Sequence, residues 1–175
     1  FSTGWARDQR VYFRARFSKP WKSVTIDSAV IDAKDPEALS MVARFDFSTT
    51  KGEQITVSTA ISSVNEAGAA ANLAAEAPTD DFDKYLAQTR EAWNRELGKI
   101  KVKGDDRDQI VCFYTALYHN MIAPTIYSDV NGGYRGPDKK THTANGWTNY
   151  STFSLWDTFR ASHPLYTLTQ PARVN

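Results

Sequence analysis

Twelve consecutive residues, Asn149 to Arg160, bring together four aromatic rings (Tyr150, Phe153, Trp156, Phe159), one carboxylate (Asp157), one guanidinium (Arg160) and the hydroxyls of Ser151, Thr152, Ser154 and Thr158. A core segment would be more aliphatic, and a plain loop would carry more Gly and Pro. Flat apolar faces beside a few fixed polar groups suit a concave small-molecule site. Sugars fit such a set well, because their C–H faces lie on rings while their hydroxyls bond to Asp and Arg. The same letters have a structural reading. Ser154-x-x-Asp157 matches a capping box, with Ser154 as N-cap and Asp157 returning to its backbone N–H. Both readings stand on composition alone.

Those residues must be placed by what precedes them. Val11, Phe13, Ala15 and Phe17 alternate with Arg10, Tyr12, Arg14 and Arg16, a period of two that predicts a strand with one apolar and one basic face. The arginine face reads as solvated or as a polar face between sheets. Val24 and Ile26 open a second strand running to about Ile31. Asp35-Pro36-Glu37 is expected to turn, Met41 to Phe47 to form a third strand, Thr49-Thr50-Lys51-Gly52 to link, and Ile55 to Ile61 to form a fourth. Short alternating strands at this spacing suggest part of an antiparallel sandwich.

From about Ser63 the period becomes helical. Ala67 to Ala77 is alanine-rich and contains Asn72-Leu73-Ala74-Ala75-Glu76, with Pro78 expected to close the helix. Thr79 or Asp80 is expected to cap the next helix, whose stripe is Phe82, Tyr85, Leu86, Thr89, Trp93, Leu97 and Ile100. Ile110, Phe113, Tyr114, Leu117, Tyr118 and Met121 stripe a third helix, ending near Pro124. Residues 128–146 read as a long functional loop without regular structure, anchored by Tyr127, Tyr134 and Trp147. Asp129-x-Asn131-Gly132 is only faintly like a calcium loop and lacks its distal Glu. Asn149-Tyr150-Ser151 matches an N-glycosylation pattern that is frequent by chance. A last helix is expected near Leu155, kinked or displaced by Pro164.

Composition narrows the classes. The 175 residues carry a net charge of +1 and no basic stripe, which disfavours nucleic acid. No apolar run approaches the roughly 20 residues of a membrane span. The single cysteine, Cys112, excludes an internal disulfide and reads as a buried, inert thiol. Strands followed by helices, without alternation, argue against a Rossmann-like unit. His119, His142 and His163 are scattered and read as packing or surface residues. Both ends look cut, as in an internal segment of a longer protein.

The phrase "FSLWDTFR" followed by "HPL" resembles the bacterial exo-acting α-mannosidases of glycoside hydrolase family 92. So do "FYTALYHNMIAPTIYSDVNGGYRGPD" and, more loosely, "ISSVNEAGAAANLAAEAP". The resemblance implies an α+β fold: the C-terminal part of an antiparallel β-sandwich (residues 1–62), connecting helices (63–104) and the helices that begin a catalytic (α/α)6 barrel (105–175). It implies a calcium-dependent, inverting enzyme removing terminal α-linked mannose from glycans, often α-1,2-linked, located in the bacterial periplasm or outside the cell. The acid and base of such enzymes are expected beyond Asn175, as are the calcium ligands, so no catalytic or metal residue is assigned here. The fragment alone is expected to be inactive. The sugar-holding residues implied are Phe153, Trp156, Asp157, Thr158 and Arg160, with Tyr134, Asp138 and Trp147 as secondary candidates. The implied partners are a mannose-containing glycan and the remainder of the same polypeptide. A non-catalytic carbohydrate-binding module, another (α/α)6 glycosidase such as a trehalase-like enzyme, and a purely structural helical domain are the alternatives.

Overall fold

The structure, a computed structural model, describes residues 8–32 and 35–174, the side chains of 30–32 and 35–40 excepted. The chain order is β1 (Tyr12–Phe17), β2 (Ser23–Asp32), β3 (Asp35–Asp46), β4 (Val57–Ser62), α1 (Glu66–Glu76), α2 (Phe82–Leu97), α3 (Arg107–Asn120), β5 (Gly133–Arg135), β6 (Thr141–Thr143), α4 (Leu155–Thr158), α5 (Ser162–Thr169) and α6 (Pro171–Val174). Helices and strands are mixed, and β2–β3 and β5–β6 pair antiparallel. Two compact units form: Ala15–Thr59, and Phe1–Arg14 together with Ala60–Asn175. Strands β1 and β4 pair as a two-stranded sheet.

In the first unit, β2 and β3 form a long ladder from Ser23↔Asp46 to Asp32↔Asp35, with an irregularity between Val30 and Asp32. The turn expected at Asp35-Pro36-Glu37 is strand instead. Proline lacks a ladder donor and is tolerated near the first residue of a strand, which is where Pro36 falls. Gly52 takes φ +82° in the link to β4, and Glu53 accepts from the Thr50 N–H at 2.9 Å. Phe17, Trp21, Phe45 and Phe47 cluster, with Phe17–Phe45 centroids 4.9 Å apart.

In the second unit the three long helices α1 to α3 start where short side chains cap them. The Asn65 side chain accepts from the Gly68 N–H, that of Asp81 from Lys84 and that of Asp106 from Asp108 and Gln109. Such caps are each worth about 1 kcal/mol. Asp81, not Thr79 or Asp80, starts α2; the Thr79 N–H is turned instead onto the Tyr85 hydroxyl at 2.9 Å. Trp93 of α2 meets Tyr118 of α3 at 4.7 Å, and the Tyr114 hydroxyl donates to Ile100 O at 3.1 Å. Cys112 is exposed, not buried. It lies five residues from Leu117, the buried side chain of α3, and at 100° per residue that puts it about 140° away round the helix.

The core is small. Among the described residues the buried apolar side chains are Ala69, Leu73, Leu117 and Ala144, while Phe13, Phe82, Trp156 and Leu168 are all more than half exposed. Polar bonding carries much of the connection. Asn72, buried in the middle of α1, donates from Nδ2 to Ile61 O (2.9 Å) and to Asp129 Oδ1 (2.8 Å), and its Oδ1 accepts from the Val130 N–H (2.8 Å). Ser62 Oγ donates to Asp129 Oδ2 at 2.8 Å. Gly68 lets this group approach α1, since a Cβ there would overlap both Asp129 Oδ2 and Ser62 Oγ.

The end of the chain is tied back to α2 through Glu96. Its carboxylate accepts from Gln170 Nε2 (2.7 Å) and pairs with Lys99 (2.7 Å) and Arg173 (3.3 Å). The Gln170 hydrogen bond first, then those cations, hold its pKa down at about 2 against an ordinary 4.5. A depressed carboxyl adds stability that is complete above its unfolded pKa and lost as pH falls through the folded one. Glu96→Gln should therefore flatten the fall in melting temperature between about pH 4.5 and pH 2 relative to wild type, with a modest effect at neutrality because the group is partly solvated. Thermal melts across that pH range check this.

Candidate functional site

The segment that carries the candidate chemistry is held at both ends. Upstream, Ile126 and Tyr150 form an antiparallel bridge; the Tyr127 N–H donates to Asn149 O and the Ser151 N–H to Thr125 O, both at 2.8 Å. The Thr125 N–H also donates to Ser151 Oγ at 3.0 Å. Downstream, Ser162 Oγ donates to Asn120 Oδ1 (2.6 Å), and the Tyr166 hydroxyl donates to Asn120 O (2.6 Å) and Ala123 O (3.1 Å). Residues 152–161 span the gap between these anchors. The single expected helix is split into α4, inside that span, and α5, which begins just after it. Pro164 falls in the first turn of α5, where its missing N–H costs nothing, so the proline displaces the helix start rather than kinking it.

The five candidate residues divide into two groups. Phe153 and Thr158 turn inward. The Phe153 ring lies 5.4 Å from the ring of His163 at 31°, and Thr158 Oγ1 lies 2.9 Å from His163 Nε2 while also donating to Ser154 O at 3.1 Å. Trp156, Asp157 and Arg160 stay exposed, Trp156 at 77%. The Arg160 guanidinium sits 5.1 Å from the centroid of the Phe159 ring. Asp157 has no hydrogen-bond or ion-pair partner among the described residues, nor does Ser154 make a side-chain capping bond. The capping box is thus absent, although Ser154 does occupy the N-cap position. An exposed carboxylate in a first helical turn, without a partner among the described residues, can accept two or more hydrogen bonds from a polyhydroxylated ligand.

The secondary candidates lie elsewhere in the same unit. Residues 128–146 are not structureless; they contain the β5–β6 hairpin, with Tyr134 opposite His142. Gly132 at φ +83° turns the chain into it, where a Cβ would press on Ala144 O. Tyr134 rings with His142 (5.5 Å) and Trp147 (5.6 Å), and His142 Nε2 bridges to the Asp138 carboxylate at 2.9 and 3.0 Å. The His142 ring and the Lys140 N–H hold the Asp138 carboxyl below its ordinary pKa. A cleft of about 480 Å³ is lined by Arg10, Tyr127, Tyr134, Arg135, Tyr150 and Thr152 among others.

Sequence reasoning passed over two sets of residues that position the site. His163 was read as scattered, yet it organises Phe153 and Thr158. Asn72 was read only as part of a phrase. Its signal was there: a polar residue one turn after Gly68 on an alanine-rich helix marks a close approach that needs a donor. Asp129 is a buried acceptor for Ser62 and Asn72. No group of three or more His, Cys, Asp or Glu that could hold a metal ion occurs among the described residues. No helix among them is long and apolar enough to cross a membrane.

A family model described as the glycosyl hydrolase family 92 catalytic domain matches residues 68–175. The chain is similar to the solved family GH92 α-mannosidase BT3965 from Bacteroides thetaiotaomicron, with 36% identity and a TM-score of 0.80 over 91% of this chain and 23% of that one. The same mannosidase in complex with mannoimidazole aligns at 35% identity and a TM-score of 0.79, over 91% of this chain and 22% of that one. The family GH92 inverting mannosidase BT2199 from Bacteroides thetaiotaomicron VPI-5482 aligns at 28% identity and 0.76, over 93% and 23%. The chain thus spans less than a quarter of the length of these structures. No curated protein sequence matches it.

Proposed function

The chain belongs to glycosyl hydrolase family 92, and from that premise we propose that it is the sugar-holding segment of an exo-acting α-mannosidase. The observation that carries this reading is Asp157: exposed, without a partner among the described residues, and free of the capping role its spacing allows. Its carboxylate grips hydroxyls of a terminal mannose through charge-assisted hydrogen bonds, each worth about 1.5–3 kcal/mol. Trp156 offers a face to the sugar ring, and Arg160 orients the sugar or Asp157. Phe153 and Thr158, tied to His163, hold the α4 turn in place behind them.

The rest of the reading follows the family. Residues 1–62 belong to an antiparallel β-sandwich, 63–104 connect, and 105–175 begin an (α/α)6 barrel, whose further helices would cover the open apolar faces of α2 and α3. The reaction is hydrolysis with inversion of terminal α-linked mannose, α-1,2 among the linkages. Its acid and base belong to the remainder of the polypeptide, set about 6.5–9.5 Å apart to admit water. Calcium needs six or more converging oxygens. Among the described residues no acidic groups converge in that way, and we assign the calcium ligands to the remainder of the protein. On this reading the 175 residues alone release no mannose. The natural setting is the bacterial periplasm or cell exterior, where mannose-containing glycans are met.

Asp157→Asn in the full-length protein separates gripping from folding. It keeps size and one acceptor oxygen while removing the charge. The expected result is an unchanged melting temperature and a fall of at least tenfold in kcat/KM, since about 1.4 kcal/mol of lost transition-state binding is a factor of ten. A lowered melting temperature with unaltered kcat/KM would make "FSLWDTFR" a structural phrase only.

A further inference from the structure

The buried polar group around α1 is bonded to the stretch of chain that leads to the site segment. Asn72 uses both hydrogens and the oxygen of its amide, on Ile61 O, Asp129 Oδ1 and the Val130 N–H. Asp129 in turn is fixed through its main chain, its N–H donating to Gly133 O and its O accepting from the Gly132 N–H, both at 2.8 Å. Residues 125–127, directly ahead of it, pair with 149–151, and Ser151 is two residues from Phe153. The upstream anchor of residues 152–161 is thus continuous in the chain with 128–130, the stretch that Asn72 holds.

We propose that Asn72 and Asp129 are positioning residues for the segment 152–161, acting through the bridged segments 125–127 and 149–151 to set where Trp156, Asp157 and Arg160 stand. This rests on the reading of that segment as the sugar-holding part. An amide and a carboxyl buried together suit the task, because their bonds are directional where apolar packing tolerates sliding. An apolar group of similar size at 72 would fill the space and still leave the Val130 N–H, Ile61 O and the Asp129 carboxyl short of partners.

The test uses the full-length protein and two variants. Asn72→Ala removes all three bonds while improving the intrinsic helix propensity of α1, so any loss is not a weakened helix. Asp129→Asn keeps the shape and one acceptor and serves if the first variant folds poorly. Hydrogen exchange read by peptide mass spectrometry is the main measurement, and it does not depend on enzymatic activity. Expected is exchange at least tenfold faster in peptides covering 152–161, as well as in 61–73 and 125–135, with kcat/KM on an aryl α-mannoside reduced at least tenfold at a temperature where melting shows the variant folded. Asp129→Asn should show a smaller effect of the same pattern. Acceleration confined to 61–73 and 125–135, with 152–161 and kcat/KM as in wild type, would overturn the proposal. A wild type that releases no mannose would count against the functional reading and leave the exchange result to decide this one.

Discussion

One buried contact ties the end of β4, α1 and the hairpin loop to one another: the Asn72 amide against the Asp129 carboxyl, 2.8 Å apart inside a core of few apolar side chains. A polar pair in such a place is costly unless every donor and acceptor is met. Here the requirement is satisfied by Ser62, Ile61 O and the Val130 N–H. That completeness forces the local design. Gly68 must lack a Cβ so that α1 can approach, Ser62 must end β4 with a hydroxyl, and the chain after α3 must pass with Asp129 turned inward. The end of β4, α1 and the hairpin loop are thereby fixed to one point without a large apolar core.

The candidate site inherits its position from that point and from the end of α3. Residues 152–161 are strung between the bridge at Tyr150 and the Asn120 contacts of Ser162 and Tyr166. Inside the span the inward-facing Phe153, Thr158 and His163 brace one side, which leaves Trp156, Asp157 and Arg160 open on the other. A short helix held in this way can present a carboxylate without using it. Ser154, which might have drawn Asp157 into a cap, makes no such bond, and that is why the carboxylate stays available.

Periodicity carried most of the fold. The alternation before Ser63 marked β1 to β4, and the alanine run of α1 and the stripes of α2 and α3 marked the helices, because those signals are local; the caps Asn65, Asp81 and Asp106 were not read from the sequence. What stayed hidden depends on distant partners. The hairpin in 128–146 is set by Gly132 and by pairing across it, not by strand-forming composition. Cys112 sits in an apolar run, but the helix phase set by Leu117 turns it outward. Asp157 was legible as a residue able to do chemistry; that it would lack a partner was not, since Ser154-x-x-Asp157 fits two outcomes equally well. The role of Asn72 was the least visible, because its partners lie 11 and 57 positions away along the chain.

The central claim is that Asp157 touches the sugar, and the most direct measurement is a crystal structure of the full-length enzyme with a mannose-configured inhibitor bound. The account predicts a carboxylate oxygen of Asp157 about 2.5–3.0 Å from a sugar hydroxyl, with the Trp156 ring against the ligand. An inhibitor seated away from α4, with Asp157 facing solvent or bonded back to its own helix, would contradict it.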